Sequence, residues 1–407
     1  MQQEQVASPE VIKSCPTGAL RKRIALFDYE VTPTSAMGGC HLRMLVGLCD
    51  AYDFTVFAVK FDNPRPDKIE FVRIPAPIRP TILLALIYHL LSPLYFWAHC
   101  LKRRVKFDLV QRMEVFTSIG ARAYVHFCYR AYLRDHWRQC RQKGIRGFLL
   151  TLDQFIRAAF LEPLLYRFVR VLVVPSRGLQ RELERNYRFT KGKIHVIPNA
   201  VDTQGMRAPH SFHREGFRAD FGFNPEDTVV SFVALGQFER KGFPFLLQAL
   251  KDLDYSSLKL LVVGGSEYWR DRYLKQCQDL GIQDRVVFVG MQQDVRPYLW
   301  ASDAFALPSL YEVFPLVSLE AAAAGLPIIV TPLNGVEEYL EDGVNGFLVG
   351  RGTKHLTDGL ARLLALTPYQ RKQMGASAQQ SVARFSQESF VANWRRFLDG
   401  QLRSSSH

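Results

Sequence analysis

Short apolar runs alternate with helical stretches along almost the whole chain, and that alternation breaks only once. The runs at 24–28, 54–58, 70–74, 109–112, 123–127, 171–175 and 195–198 read as strands, with a helix expected from about 41 to 49. Strands separated by crossover helices form parallel sheets covered on both faces, so the pattern predicts an α/β fold built from βαβ units. A polar segment at 202–227 interrupts it. The alternation then restarts with strands at 229–235, 259–263, 286–289, 304–307 and 328–331, and helices at 245–253, 269–280 and 316–324. The expected architecture is two doubly wound, Rossmann-like domains of similar size, at 1–200 and 201–368, facing a cleft. A C-terminal helical tail at 369–407 is expected to pack back on the first domain. Open α/β sheets bind ligands at the carboxyl ends of their strands, which makes the cleft between the domains the natural active site.

Composition narrows the partners. A hydrophobic share of 48% with 22% charged residues excludes a disordered chain, a collagen-like chain and a multi-span membrane protein. The anomaly is a net charge of +13, which predicts an anionic partner: nucleic acid, an acidic lipid surface or a phosphorylated small molecule. Residues 102–188 hold 19 Lys and Arg against 7 Asp and Glu, so nearly the whole excess sits in one fifth of the chain. The seven cysteines, Cys15 among them, are scattered and form no C-x-x-C pair, which argues against a zinc or redox motif. There is no N-x-S/T sequon, and the first 23 residues lack the basic-then-apolar order of a signal peptide. These features together predict a reduced, cytoplasmic protein.

Residues 81–101 are long and apolar enough to cross a bilayer, and Lys102, Arg103 and Arg104 follow them. Pro93 interrupts the run, and Ser92 and two histidines dilute it. A buried or surface-seeking helix is therefore preferred to a span. An apolar helix ending in a basic cluster also suits the face of an acidic leaflet.

Three segments carry chemistry. Gly38 and Gly39 lie between the first strand and its helix, where glycine lets backbone approach a phosphate and a helix start supplies free N–H groups. Neither G-x-G-x-x-G after this strand nor a Walker motif is present. The segment GQFERKG, 236–242, follows the first strand of the second half and puts Arg240 and Lys241 where a diphosphate could rest. In YEVFPLVSLEAAAAGLP, 311–327, Glu312 and Glu320 flank the turn that opens an otherwise apolar helix. A carboxylate inside such a helix needs hydrogen-bond donors, and ligand hydroxyls are suitable ones. His126 falls at the end of a predicted strand, in AYVHFCYR, where a core role and a functional one are equally open.

The string VVPSRGLQREL, IPNAVDT, GQFERKGFPFLLQAL, LLVVGG and VVFVGMQQDVRPYLWASDAFALPSLYEVFPLVSLEAAAAGLPIIVTPLNGVEEYLEDGVNGFLV resembles the large retaining glycosyltransferase family 4, of the GT-B fold. The likeness is specific over 171–349, and weaker in the first half through MGGCHLR and AYVHFCYRAYL. It implies a retaining, hexosyltransferase-like enzyme moving a sugar from a nucleotide-sugar to an acceptor. Gly38 and Gly39 would face the donor's distal phosphate and sugar, and Arg240 and Lys241 would hold the diphosphate. Glu312 would bind the donor sugar and act in catalysis, with Pro315 and Leu316 against the donor and Glu320 on the ribose. His126 would sit beside the sugar's reacting face as a second catalytic group. Asn199 and Asp202 match the family's interdomain turn, a structural part.

The chain departs from the family in two places. Gly236-Gln237 stands where many members have Gly-Arg, so the phosphate arginine must be Arg240 or be missing. Phe314-Pro315 stands where Phe-Gly is usual, which removes one N–H. An active enzyme is still expected. No metal or other cofactor is expected, because cations and helix starts can stabilise the leaving diphosphate. The D-x-D at Asp252 and Asp254 reads as a solvated turn. In place of two carboxylates flanking the bond, the resemblance implies front-face attack assisted by the departing phosphate. The expected acceptor is lipid-linked or saccharide, for surface polysaccharide or glycolipid synthesis, with the enzyme cytoplasmic and on the membrane's inner face. The basic segment is expected to meet an acidic membrane rather than nucleic acid. Two other readings are a nucleic-acid-binding protein and a catalytically silent sugar-nucleotide-binding protein on the same fold.

Overall fold

In β1 (Arg23–Phe27) every residue after the first is buried, the mark of a strand covered on both faces. The computed structural model describes residues 21–35, 37–78, 81–114, 117–140 and 144–404, so the chain start and Cys15 lie outside the described residues. After β1 come a short parallel pair, β2 (Glu30–Val31) and β4 (Lys60–Phe61), and the strands β3 (Asp53–Ala58) and β5 (Ile69–Arg73). Next are β6 (Leu109–Met113), β7 (Arg122–Tyr124), β8 (Val171–Val174) and β9 (Ile194–Val196). The seven main strands pair in parallel in the order β5-β3-β1-β6-β7-β8-β9, with Ile24 opposite both Phe54 and Leu109. The order reverses between β1 and β6, so the crevice of this sheet opens where those two strands end.

The second sheet repeats the plan. β10 (Thr228–Val233), β11 (Leu258–Val263), β12 (Val286–Gly290), β13 (Ala304–Leu307), β14 (Ile328–Val330) and β15 (Gly346–Leu348) pair in parallel in the order β12-β11-β10-β13-β14-β15. All six residues of β10 are buried. Its switch lies between β10 and β13, and this adjacency builds the candidate site. Strand β15 was not anticipated.

The tail corrects the expectation of one unit packing on the first domain. It is two helices. Pro368–Val382 stays on the second domain, where Gln379 donates to the carbonyl of Ala323 at 2.8 Å. Only Gln387–Ser404 crosses back onto the first domain. There Trp394 is fully buried edge-on to Tyr124, and the Tyr52 hydroxyl donates to Asp399 at 2.6 Å. The break falls at residues 383–386, where a single turn delivers Phe385 to the core of the second domain.

Residues 81–103 form one helix, Thr81–Arg103, running unbroken through Pro93. One face is buried through Leu84, Tyr88, Ser92 and Phe96, while the opposite face is exposed. Between β7 and β8 the chain builds a helical layer that was not anticipated: Tyr129–Asp135, Trp137–Cys140, Gly144–Ile156, a π-helical turn at Arg157–Leu161, and Glu162–Phe168.

Candidate active site

Because β10 and β13 are neighbours, the loops that leave their carboxyl ends meet. The first carries Arg240 and Lys241, the second Ser309 and Glu312. Lys241 Nζ donates to Glu312 Oε1 at 2.5 Å, Arg240 Nη1 reaches the same oxygen at 3.3 Å, and the Ser309 hydroxyl reaches it at 3.4 Å. Arg240 is oriented further by the carbonyl of Tyr311 and by Gln237, both at 2.7 Å. Gln237, which stands where the resemblance leads one to expect an arginine, has a positive φ of 56°. Burial opposes the charge on Glu312, but Lys241 and Arg240 outweigh it and hold the carboxyl below its ordinary range. Burial also lowers the Lys241 ammonium, an effect the Glu312 charge partly offsets. The two cations that bond Glu312 favour its ionised form, so the contact is a charge-paired one.

Past Glu312, Pro315 caps the helix Leu316–Ala323 from extended backbone. The Ser318 hydroxyl donates to the Pro315 carbonyl, and the N–H groups of Leu316 and Val317 have no partner among the described residues. An open helix start beside two cations is an anion-binding arrangement. Glu320 lies one turn further along. Its half-buried carboxyl has no hydrogen-bond partner among the described residues, and burial pushes it up to about 7, with Arg43 acting against that rise. Arg43 belongs to the first domain, in the helix Gly38–Leu48, and donates to the carbonyl of Ala200 at 2.8 Å.

Gly38 and Gly39 open that helix, but the expectation that their N–H groups are free needs correction. Gly38 donates to the Ser35 hydroxyl at 3.1 Å and Gly39 to the Ser35 carbonyl at 2.8 Å, because the loop closes on itself. A ligand phosphate would have to displace Ser35.

His126 sits just past β7, buried, with Nε2 3.4 Å from Asn199 Oδ1; the same oxygen accepts from Tyr124 at 2.5 Å. Burial pushes the imidazole down to about 3, so it is neutral. Its Nδ1 is buried without a partner, as is Nε2 of His41, whose Nδ1 is 2.8 Å from Asp28. Asn199, expected to be structural, therefore also orients His126. Asp202 stays a turn residue, accepting from Gly205 at 2.8 Å. Asp252 and Asp254 lie exposed at the far end of the helix Phe243–Leu253.

The domains meet through Tyr311. Its ring packs on Phe127 and His136, its hydroxyl donates to Glu182 at 2.9 Å, and the Cys128 N–H reaches that hydroxyl at 3.4 Å. The His126 loop is thereby held against the Glu312 loop. The structure thus joins Arg240, Lys241 and Glu312 directly, sets Leu316 at the open helix start, and turns Glu320 toward the helix begun by Gly38. Tyr311, Ser309, Arg43 and Asp28 were missed. Asp28 immediately follows the carboxyl end of β1, a signal that could have found it.

Two family models match in tandem: Glycosyltransferase Family 4 over residues 42–204 and Glycosyl transferases group 1 over residues 213–381. An uncharacterized glycosyltransferase, MJ1607, of Methanocaldococcus jannaschii is 26% identical over 340 residues, covering 80% of this chain and 85% of that protein. The lipopolysaccharide core biosynthesis glycosyltransferase LpsE of Rhizobium meliloti is 38% identical over 141 residues. That match covers 34% of this chain and well under half of LpsE. Among solved structures, Anabaena Alr3699/HepE in complex with UDP and glucose superposes with a TM-score of 0.68 at 18% identity, over 93% of this chain and 100% of that one.

Proposed function

The chain belongs to the group 1, family 4 glycosyltransferases of GT-B fold, and from that premise we propose that it moves a sugar from a nucleotide-sugar, with retention of configuration, onto a lipid-linked or saccharide acceptor in surface polysaccharide or glycolipid synthesis. The observation that carries the reading is the meeting of Lys241, Arg240 and Glu312 at the sheet's switch point, beside the open N–H groups of Leu316 and Val317. In the reaction the charge to be stabilised is that of the departing nucleoside diphosphate. Arg240, Lys241 and the helix start take that charge, while Glu312 orients the donor sugar and holds the two cations apart from it. Glu320 accepts from the ribose hydroxyls. Neutral His126, steered by Asn199, can accept a hydrogen bond from the sugar's reacting face at its unpartnered Nδ1.

Charge stabilisation is assigned to these residues because the D-x-D motif lies at an exposed helix end, a helix length from the site. The likeness to LpsE favours an acceptor of the surface-polysaccharide kind. The basic first domain favours an acceptor carried at an acidic membrane, reached from the cytoplasm. Anabaena HepE was solved with UDP and glucose, so UDP-glucose is the first donor to try.

The test is to incubate purified protein with UDP-, GDP- and ADP-sugars, following diphosphate release and the anomeric coupling of the product by NMR. The expected result is turnover of one donor class with the donor's own anomeric configuration kept in the product, and loss of turnover in Glu320→Ala. An inverted anomer overturns retention. No transfer or hydrolysis of any donor overturns the enzyme reading.

A further inference from the structure

The largest feature that donor chemistry leaves unused is an apolar face on the first domain. Along the helix Thr81–Arg103, Leu83, Leu86, Leu90, Leu94, Trp97 and Leu101 recur at steps of three and four residues, which puts them on one side. All six are exposed, Leu90 by 63%, Leu94 by 64% and Leu101 by 77%. The helix packs against Gly144–Ile156, whose outer side adds Phe148 and Phe155. Phe160, Leu164 and Phe168 extend the same exposed run along the helical layer, with Phe168 exposed by 73%. Scattered surface apolar residues are normal in soluble proteins, but two packed helices that both turn apolar sides outward are not.

The charge around the face is one-sided. Lys102, Arg103, Arg104 and Lys106 are exposed where the first helix ends, and Arg167 and Arg170 where the layer ends. Of the seven carboxylates in the basic segment, Glu114, Asp153 and Glu162 are buried, and Asp108, whose carboxylate is exposed, is bonded to Lys22. A second copy seated face to face would bring like charges together, whereas an anionic bilayer complements both the apolar side chains and the cations. A transmembrane placement conflicts with the helix's inner side. The Tyr88 hydroxyl donates to the carbonyls of Asp28 and Phe57, Ser92 bonds Thr117 at 2.6 Å, and Phe96 packs on Phe27, Phe57 and Phe107. The Tyr88 bonds also fix position. Asp28 falls just past the carboxyl end of β1 and Phe57 is the next-to-last residue of β3, at the crevice side of the sheet.

We propose that the helix Thr81–Arg103 and residues 144–168 form one docking face that lies in the plane of an anionic bilayer and brings the first domain's side of the crevice to the membrane. The inference rests on the lipid-linked acceptor reading above, for which it supplies the approach route.

Flotation of the full chain with vesicles of phosphatidylcholine, alone or with about a third phosphatidylglycerol, tests it. At low salt the anionic vesicles should bind at least about tenfold more protein, and high salt should remove most of the difference. Leu90→Glu with Leu94→Glu should cut binding about tenfold or more. Brominated lipid should quench tryptophan fluorescence in the parent and markedly less in Trp97→Phe. Equal binding to both vesicles, unchanged binding by the Glu variant, or a solution dimer that the Glu variant dissolves would each overturn the proposal. A UDP thermal shift retained in every variant shows that they fold. Failure of the parent protein to bind vesicles, with sugar transfer intact, sinks this face alone. Vesicle binding without use of any nucleotide-sugar leaves the face standing and sinks the enzyme reading.

Discussion

Lys241 of one loop and Glu312 of another, 71 residues apart in sequence, share a 2.5 Å bond because β10 and β13 are neighbours in the sheet. In the free protein the carboxylate neutralises the cation that the proposed reaction turns on the diphosphate. Removing the cation should therefore hurt twice, by losing a charge-assisted contact to phosphate and by leaving Glu312 with a weaker partner. Lys241→Ala is expected to lower kcat/KM and UDP affinity by about 10- to 100-fold, the range of a hydrogen bond to a charged group. Steady-state kinetics with UDP calorimetry read both. An unchanged UDP affinity would remove Lys241 from the diphosphate site.

Glu320 gives the site a pH dependence whose sign can be worked out. Its carboxyl, pushed up to about 7 in the free protein by burial, holds a proton over part of the neutral range. Accepting from ribose hydroxyls favours the ionised form, so nucleotide binding should release a proton. Affinity should then rise from pH 6 to pH 8 and level off above the free carboxyl's value. Calorimetry in buffers of different ionisation heat would count the proton. Glu320→Gln should flatten the curve. His126, pushed down to about 3, should add no inflection in that range.

The contact between Tyr311 and Glu182 is one of several polar contacts across the domain boundary, beside Ser176 to the Val313 carbonyl and Arg181 to Glu337. Tyr311→Phe keeps the ring's packing on Phe127 and His136 but leaves Glu182, whose carboxyl burial already raises, short of a donor. The expected cost is about 1–2 kcal/mol, read as a Tm lower by about 2–6 °C. Small-angle scattering should show a larger mean radius in the free protein. Tyr311→Ala should do both more strongly, because it also empties the interdomain cluster.

The parts that were legible in the sequence share a physical cause. Strands such as Thr228–Val233 are buried on both faces, so they read as unbroken apolar runs, and their order of appearance predicts two parallel sheets. Gly346–Leu348 escaped because it is three residues long and begins with a glycine, at which a Cβ would lie 2.3 Å from the Ile328 carbonyl oxygen. The layer at 129–168 escaped because its outer side is apolar and its inner side holds Arg157 and Glu162, the reverse of the usual amphipathic pattern. Within the site, Lys241 and Glu312 could be named from motifs. Tyr311 could not, since its partner Glu182 is 129 residues away and in the other domain. Contacts made only when two domains close leave no local periodicity to read.

The two glycines that open the first helix should separate on substitution, because they are constrained by different things. At Gly38 a Cβ would fall 1.8 Å from the Glu30 carbonyl oxygen, a backbone atom of β2 that cannot move without disrupting that strand pair. At Gly39 the nearest atoms, the carbonyl oxygens of Pro33 and Thr32, are 3.5 Å away, which is ordinary contact. Neither position has a positive φ, so conformational freedom is not what either glycine supplies. Gly38→Ala is therefore expected to lower Tm by several degrees, about 2 kcal/mol or more of overpacking. Gly39→Ala should leave Tm within about 1 °C, the usual scatter of a neutral change. If the donor's distal phosphate and sugar come against this turn, Gly39→Ala should still reduce turnover, because the added methyl would occupy the approach without harming the fold. Differential scanning fluorimetry beside kcat/KM separates the effects. A Gly39→Ala enzyme with parental Tm and parental turnover would take this loop out of the donor site.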